Sequence, residues 1–159
     1  MTGKSGVAQR SLRTTVGLLR VTADDEGIIA IDRITKPTTR AGSANADHHA
    51  EQAVRELREY FAGKRRRFEV VLHLEGTDFQ ERAWAAMRKI PYGATISYAT
   101  QARRIGKPRA TRAVGTANGA NPIPIIVPCH RVVASDGSLG GYSLGLAMKR
   151  RLLALEGAD

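Results

Sequence analysis

The chain has a single cysteine, Cys129, among its 159 residues. One thiol cannot pair within the chain, which excludes a disulfide scaffold. Cys129 is then a buried filler, a metal ligand without thiol partners, or a reactive group in a reducing compartment. Long apolar runs are missing as well. Nothing approaches the roughly 18 apolar residues that mark a membrane span. The opening "MTGKSGVAQRSLR" is polar and basic with no apolar core of a secretory signal. The expectation is a cytoplasmic protein with no membrane association. Acids are the third scarcity: residues 82–135 hold nine basic side chains (Arg82, Arg88, Lys89, Arg103, Arg104, Lys107, Arg109, Arg112, Arg131) and no Asp or Glu. Residues 1–76 are closer to balance, with 13 basic and 10 acidic groups. An acid-free stretch makes a positive surface that attracts a polyanion by counterion release, so nucleic acid is the expected partner.

What is present divides the chain in two. "SLRTTVGLLRVT" (11–22) and "GIIAIDRI" (27–34) read as strands, joined by "ADDEG" with the Asp and Gly chemistry of a hairpin turn. "TKPTTRAGSANAD" reads as a surface loop. The following "HHAEQAVRELREYFAG" places Ala53, Leu57, Tyr60 and Phe61 at helical spacing before Gly63. "FEVVLHL" (68–74) supplies a third strand. Residues 1–76 are therefore expected to form a small N-terminal α+β lobe, and residues 77–159 a mostly helical second domain.

That domain opens with Thr77 as N-cap and Gln80 three residues on, a capping box, with Phe79, Ala83, Trp84, Met87 and Ile90 as the apolar stripe and Pro91 as the stop. "ISYATQARRIG" runs from a cap at Ser97 to Gly106, "KPRA" turns the chain, and "TRAVGTANGAN" gives a second short helix. Two basic helices about a tight turn have the form of a helix-turn-helix, a form that many hairpins share without binding anything. A last helix over 146–155 packs Met148, Leu152 and Leu155 and ends at Gly157.

Cys129 lies in "IIVPCHRVV". A buried Cys is often only a small hydrophobe. Here His130 is adjacent, Pro128 fixes the backbone before the thiol, and the basic surroundings favour the thiolate, which is the nucleophile. A zinc site is not expected, because the other histidines, His48, His49 and His73, lie in the first lobe and no second Cys exists.

"NPIPIIVPCHRVV", with "RAVGTANGANP" and "IPYGATISYA" before it and "GGYSLGLAMKRRLLALE" after it, closely resembles the methylated-DNA-protein-cysteine methyltransferases, also called O6-alkylguanine-DNA alkyltransferases. The resemblance is specific over about 77–156. The N-terminal lobe matches more loosely, as a ribonuclease-H-like α/β lobe, and the resemblance implies a C-terminal helix-turn-helix domain of winged-helix type. It implies DNA repair by direct reversal: an alkyl group on O6 of guanine passes in line to Cys129, the protein is consumed, and no cofactor or metal takes part. His130 would deprotonate Cys129 through a water, Glu156 would hold and polarise His130, and Asn121 would order the water and the active-site turn. The partner would be double-stranded DNA containing O6-alkylguanine, bound by a monomer with no obligate protein partner.

A guanine in a duplex hides its O6, so the base must be flipped out. By resemblance, Arg112 fills the vacated space and Tyr98 crowds the 3' phosphate. Thr111, Ala113, Gly115, Thr116 and Ala117 make the close approach to the minor groove. The base pocket would comprise Tyr98, Asn118, Pro124, Val132, Tyr142 and Ser143, with Lys149 nearby. Asn118 stands where some members have a larger apolar residue, and "YSLG" replaces a more glycine-rich loop. A binding module, either a damage-recognition protein or a helix-turn-helix regulator of intact operators, and a Cys-His hydrolase are the competing readings; the hydrolase alone predicts turnover.

Overall fold

The computed structural model describes residues 6–158. Among these the chain divides into two compact units, 6–74 and 75–158.

The first unit is one sheet under one helix. Strands β1 (Ala8–Thr14), β2 (Gly17–Asp24) and β3 (Gly27–Arg33) form an antiparallel meander in that order. The stretch 11–22 is thus two strands rather than the single one expected. The chain reverses at Thr15 and Val16, where the Thr14 hydroxyl accepts from Val16 N–H at 3.1 Å and Gly17 takes φ +116°. The second hairpin follows expectation: the Asp24 carboxylate accepts from the Glu26 and Gly27 amides, at 2.9 and 3.1 Å. Helix α1 (Ala44–Phe61) begins four residues before the expected start, because Ser43 caps it by accepting from Ala46 N–H at 3.1 Å. Its buried Ala46, Ala50, Ala53, Leu57 and Tyr60 recur at helical spacing and cover Leu19, Val21 and Ile31 of the sheet.

Residues 68–74 do not form the expected strand. They meet β3 in one isolated parallel bridge, Ile28 to Leu72. Two of the segment's amides go elsewhere, to the buried Glu56 carboxylate: Glu69 N–H at 2.9 Å and Val70 N–H at 3.2 Å. At the bridge only glycine fits position 27, since a Cβ there would lie 2.7 Å from the Val71 carbonyl. His73 is held between two carboxylates, Asp24 at 2.7 Å and Glu26 at 3.0 Å.

The second unit is helical. The capping box forms as the sequence requires, and α2 (Asp78–Arg88) buries Ala83, Trp84 and Met87. The short β4 (Ile96–Ser97) leads into α3 (Tyr98–Arg104), capped by the Ser97 hydroxyl. A tight turn leads to α4 (Thr111–Gly119). A 3₁₀ turn, Cys129–Arg131, enters β5 (Val132–Val133), which pairs in parallel with β4. Helix α5 (Leu146–Glu156) closes at Gly157 in the left-handed conformation. Leu153 joins Met148 and Leu152 in the core, whereas Leu155 is only half-buried.

Two buried amides lock the small helices together. Gln101 and Asn118 exchange hydrogen bonds at 2.9 and 2.8 Å, and Gln101 also donates to the Ala83 carbonyl at 3.0 Å. The Trp84 indole donates to the Ala117 carbonyl at 2.9 Å. Helices α2, α3 and α4 are thereby fixed in register around one core. No helix among the described residues is long and apolar enough to cross a membrane.

Candidate active site

The turn "NPIPIIVPCHR" holds the candidate nucleophile, and Asn121 shapes it. Its amide NH₂ donates to the Val127 carbonyl at 2.8 Å and to Cys129 Sγ at 3.3 Å, while its oxygen accepts from Ile123 N–H at 2.9 Å. One side chain therefore pins both limbs of the loop and places a donor on the sulfur. Within that loop the buried Ile125 takes φ +76°, a conformation that a β-branched residue holds only when its surroundings enforce it.

The residues that follow the thiol enter a buried charge network. His130 Nε2 lies 2.7 Å from Glu156 Oε2, and neither side chain is exposed. A carboxylate only accepts, so Nε2 carries the hydrogen and Nδ1 the lone pair; Nδ1 is buried and has no hydrogen-bond partner. Arg131 grips the same carboxylate with two nitrogens, at 2.8 and 3.0 Å, and donates to the Ile90 carbonyl at 2.7 Å. The sequence reading counted Arg131 with the surface cations; it is 6% exposed and neutralised by Glu156.

The thiol also departs from expectation. Burial raises the Cys129 pKa above the ordinary value, outweighing the opposing effects of the Asn121 hydrogen bond and the Lys149 charge. The distant basic surface does not make it a standing thiolate. Burial likewise pulls His130 below the usual imidazole range, against the pull of Glu156. The resting pair is a thiol beside a neutral imidazole.

Above Cys129 opens a cleft of about 590 Å³. One wall is α4, through Thr111, Arg112, Gly115, Thr116, Asn118 and Gly119; Tyr98 of α3 and the loop residues Gly141, Tyr142 and Ser143 complete it. Arg112, Thr111 and Ala113 are exposed, with Ala113 off the cleft, whereas Ala117 is turned into the core and is 3% exposed. Of the small residues expected at the groove, Ala113, Gly115, Thr116 and Ala117, only Gly115 and Thr116 face the opening. Pro124 and Val132 are buried and do not line it.

Lys149 is fully buried, and its ammonium donates to the carbonyls of Val132 at 2.7 Å and Gly141 at 3.0 Å and also to that of Leu139. It ties the cleft loop to β5, and its burial lowers its pKa to about 8. Sequence reasoning missed Gln101 and the burial of Arg131. Gln101 carried no signal, while Arg131 stood inside the Pro-Cys-His-Arg motif. In the first unit, Asp24, Glu26 and His73 each bring a ligand-type atom within 4.8 Å of the others, but these groups already pair among themselves.

A cysteine at the floor of an open cleft, with an amide donor on its sulfur and a carboxylate-held imidazole next to it, defines a protein that does nucleophilic chemistry with its own thiol. The family model for the 6-O-methylguanine DNA methyltransferase DNA binding domain matches residues 78–158, and that for the ribonuclease-like domain matches residues 8–74. The methylated-DNA-protein-cysteine methyltransferase of Mycolicibacterium paratuberculosis is 43% identical over 153 residues, 94% of this chain and 92% of that protein. The crystal structure of the Mycobacterium tuberculosis O6-methylguanine methyltransferase superimposes with a TM-score of 0.82 at 41% identity, covering 96% of this chain and 93% of that one. The complex of the Mycobacterium tuberculosis protein with DNA gives 0.84 at 42% identity, covering 94% and 92%. The chain belongs to the 6-O-methylguanine DNA methyltransferase family.

Proposed function

We propose that this chain repairs DNA by direct damage reversal, moving the alkyl group from O6 of guanine to its own Cys129 in one irreversible transfer. The observation that carries this is Cys129 in the lining of the cleft beside α4, followed in the chain by His130, whose buried ring is held by Glu156. Neutral His130 takes the thiol proton at Nδ1 through one water, and Nε2–H stays on Glu156. Sγ attacks the alkyl carbon in line. The S–C bond forms as the C–O6 bond breaks, and the electron pair stays with the base. The proton lost by the thiol returns to guanine N1, so a thiol and an O6-alkylguanine become a thioether and guanine. A thioether has no route back to the thiol here, and each molecule acts once.

Asn121 and Lys149 favour the thiolate as it forms, by a hydrogen bond and by charge. Helices α3 and α4 act as a helix-turn-helix of winged-helix type in a DNA-binding and alkyl-acceptor domain beginning at about residue 77, and residues 1–76 form the ribonuclease-H-like lobe. Helix α4 enters the minor groove with Thr111, Ala113, Gly115 and Thr116 close to the backbone. Arg112 replaces the flipped base, and Tyr98 drives its rotation at the 3' phosphate. Tyr98, Asn118, Tyr142 and Ser143 hold the extruded guanine; Pro124, Val132 and Lys149 support them from behind. The protein works as a monomer on duplex DNA, without a cofactor, in the reducing cytoplasm that a lone thiol suits.

The test is intact-protein mass after incubation with a duplex carrying one O6-methylguanine, beside Cys129→Ser. One added methyl, saturating at one per molecule and absent in the variant, is expected. Binding without mass gain would make the chain a damage-recognition module, and product beyond one equivalent would make it a hydrolase.

A further inference from the structure

A second cleft, of about 600 Å³, lies between α2 and α3 and shares no residue with the one above Cys129. We infer that this cleft, lined by Arg82, Lys89 and Arg104, seats the phosphate backbone of the damaged duplex beyond the lesion. The inference rests on the reading of duplex DNA as substrate.

Arg82, Ala86 and Lys89 are spaced four and three residues apart and so share one stripe of α2, while Arg104 and Ile105 come from the end of α3. The three cations are exposed, and among the described residues none of them meets a carboxylate. In the first unit, by contrast, Arg10, Arg20 and Arg65 all form ion pairs. Like charges drawn to one opening repel, and an anion seated among them removes that repulsion. The helix dipoles account for part of the pattern, since Lys89 caps α2 and Arg104 ends α3. They do not account for Arg82, which lies beyond the first turn of α2 and well short of its C-terminal end.

The placement argues for the same duplex. Tyr98 opens α3 at the transfer cleft, and Arg104 closes it at the basic one, about 9 Å along the axis at ~1.5 Å per residue. That is the span of roughly three nucleotides at ~3.4 Å each. Exposed Lys107 and Arg109 in the intervening turn continue the line of cations to Arg112 at the start of α4. Ala86 and Ile105 give the cleft an apolar floor that suits deoxyribose, while the cations reach the phosphates.

The test uses the full chain and its triple variant Arg82→Gln, Lys89→Gln, Arg104→Gln, with binding to undamaged duplex followed against salt. Each lost phosphate contact flattens the slope of log K against log salt by about 0.9, so the variant's slope is expected to be shallower by about 2 to 3. Its reaction with free O6-alkylguanine base, which needs no backbone contact, is expected to match the parent's. An unchanged slope overturns the inference, and a lowered Tm with that unchanged slope assigns the three cations to the helix ends. Two duplexes per parent molecule falling to one in the variant would also overturn it, by placing a separate DNA in the cleft. The mass-gain experiment is independent of this one: a parent that gains its methyl while the slopes coincide loses only the cleft assignment. A parent that neither binds duplex nor gains mass loses the reading beneath it.

Discussion

At the scale of single residues, burial favours the protonated form of the candidate nucleophile. Burial lifts the Cys129 thiol above its ordinary value of 9.0 and drops His130 below 6.5. Transfer to the free alkylated base should then be level in rate through neutral pH and slow only as pH falls below 6.5 toward His130's lowered value. It should show no gain from free thiolate until pH exceeds 9.0. Stopped-flow rates across that range check this; a rate climbing through neutrality in step with an ordinary thiol would detach Cys129 from His130. Asn121→Ala removes the donor on Sγ and both loop ties. A hydrogen bond to a charged group contributes about 1.5–3 kcal/mol, so transfer should slow by roughly ten- to a hundredfold in the same assay. The candidate nucleophile stood out in the sequence because Pro, Cys, His and Arg are contiguous. The direction of its pKa was not, since desolvation depends on how the loop packs, and a charge count along the chain carries no burial. Arg131 was misread for the same reason.

At the scale of elements, local signals served well and distant pairing did not. Helices α2 and α3 were legible because Thr77 with Gln80 and Ser97 mark their starts chemically. The first hairpin was hidden because its turn uses Thr15 and Val16, residues that also suit a strand. Residues 68–74 look like a strand on β-branched content alone, yet the Glu56 carboxylate takes two of their amides. Nor could the sequence show that Gln101 and Asn118 pair, though this contact sets how α3 presents Tyr98 to the cleft wall built by α4. Gln101→Leu leaves the Asn118 amide and the Ala83 carbonyl buried without their partner. The expected loss is about 2–3 kcal/mol in urea unfolding. Repair of a duplex should suffer more than reaction with the free base, because only the duplex requires the two helices in register; equal losses would confine Gln101 to a stability role.

At the scale of the whole molecule, the two units carry different acid sensitivities. In the second unit, His130 is neutral in the folded state and its pKa lies below the unfolded 6.5. Above 6.5 the folded and unfolded forms bind the same protons there; below it the unfolded chain takes up a proton that the folded one refuses. Stability of that unit therefore declines as pH falls from 6.5 through His130's lowered value. In the first unit, Asp24 is held below 3.8 by hydrogen bonds from His73 and the turn amides, against the effect of its burial. Its contribution is fully present above 3.8 and is lost only as pH falls through the lower folded value. Acid unfolding should accordingly run in two steps, the second unit first. The chain supplies its own probe, since its single tryptophan, Trp84, is buried in the second unit. Trp84 fluorescence should change at a higher pH than the sheet signal of the first unit in far-ultraviolet circular dichroism. Coincident transitions would mean that the units unfold as one and that His130 does not set the acid limit. Glu156→Gln sharpens the comparison: it leaves Arg131 buried without its charge partner, at about 3–5 kcal/mol. The fluorescence midpoint should then move to higher pH while the sheet midpoint stays in place.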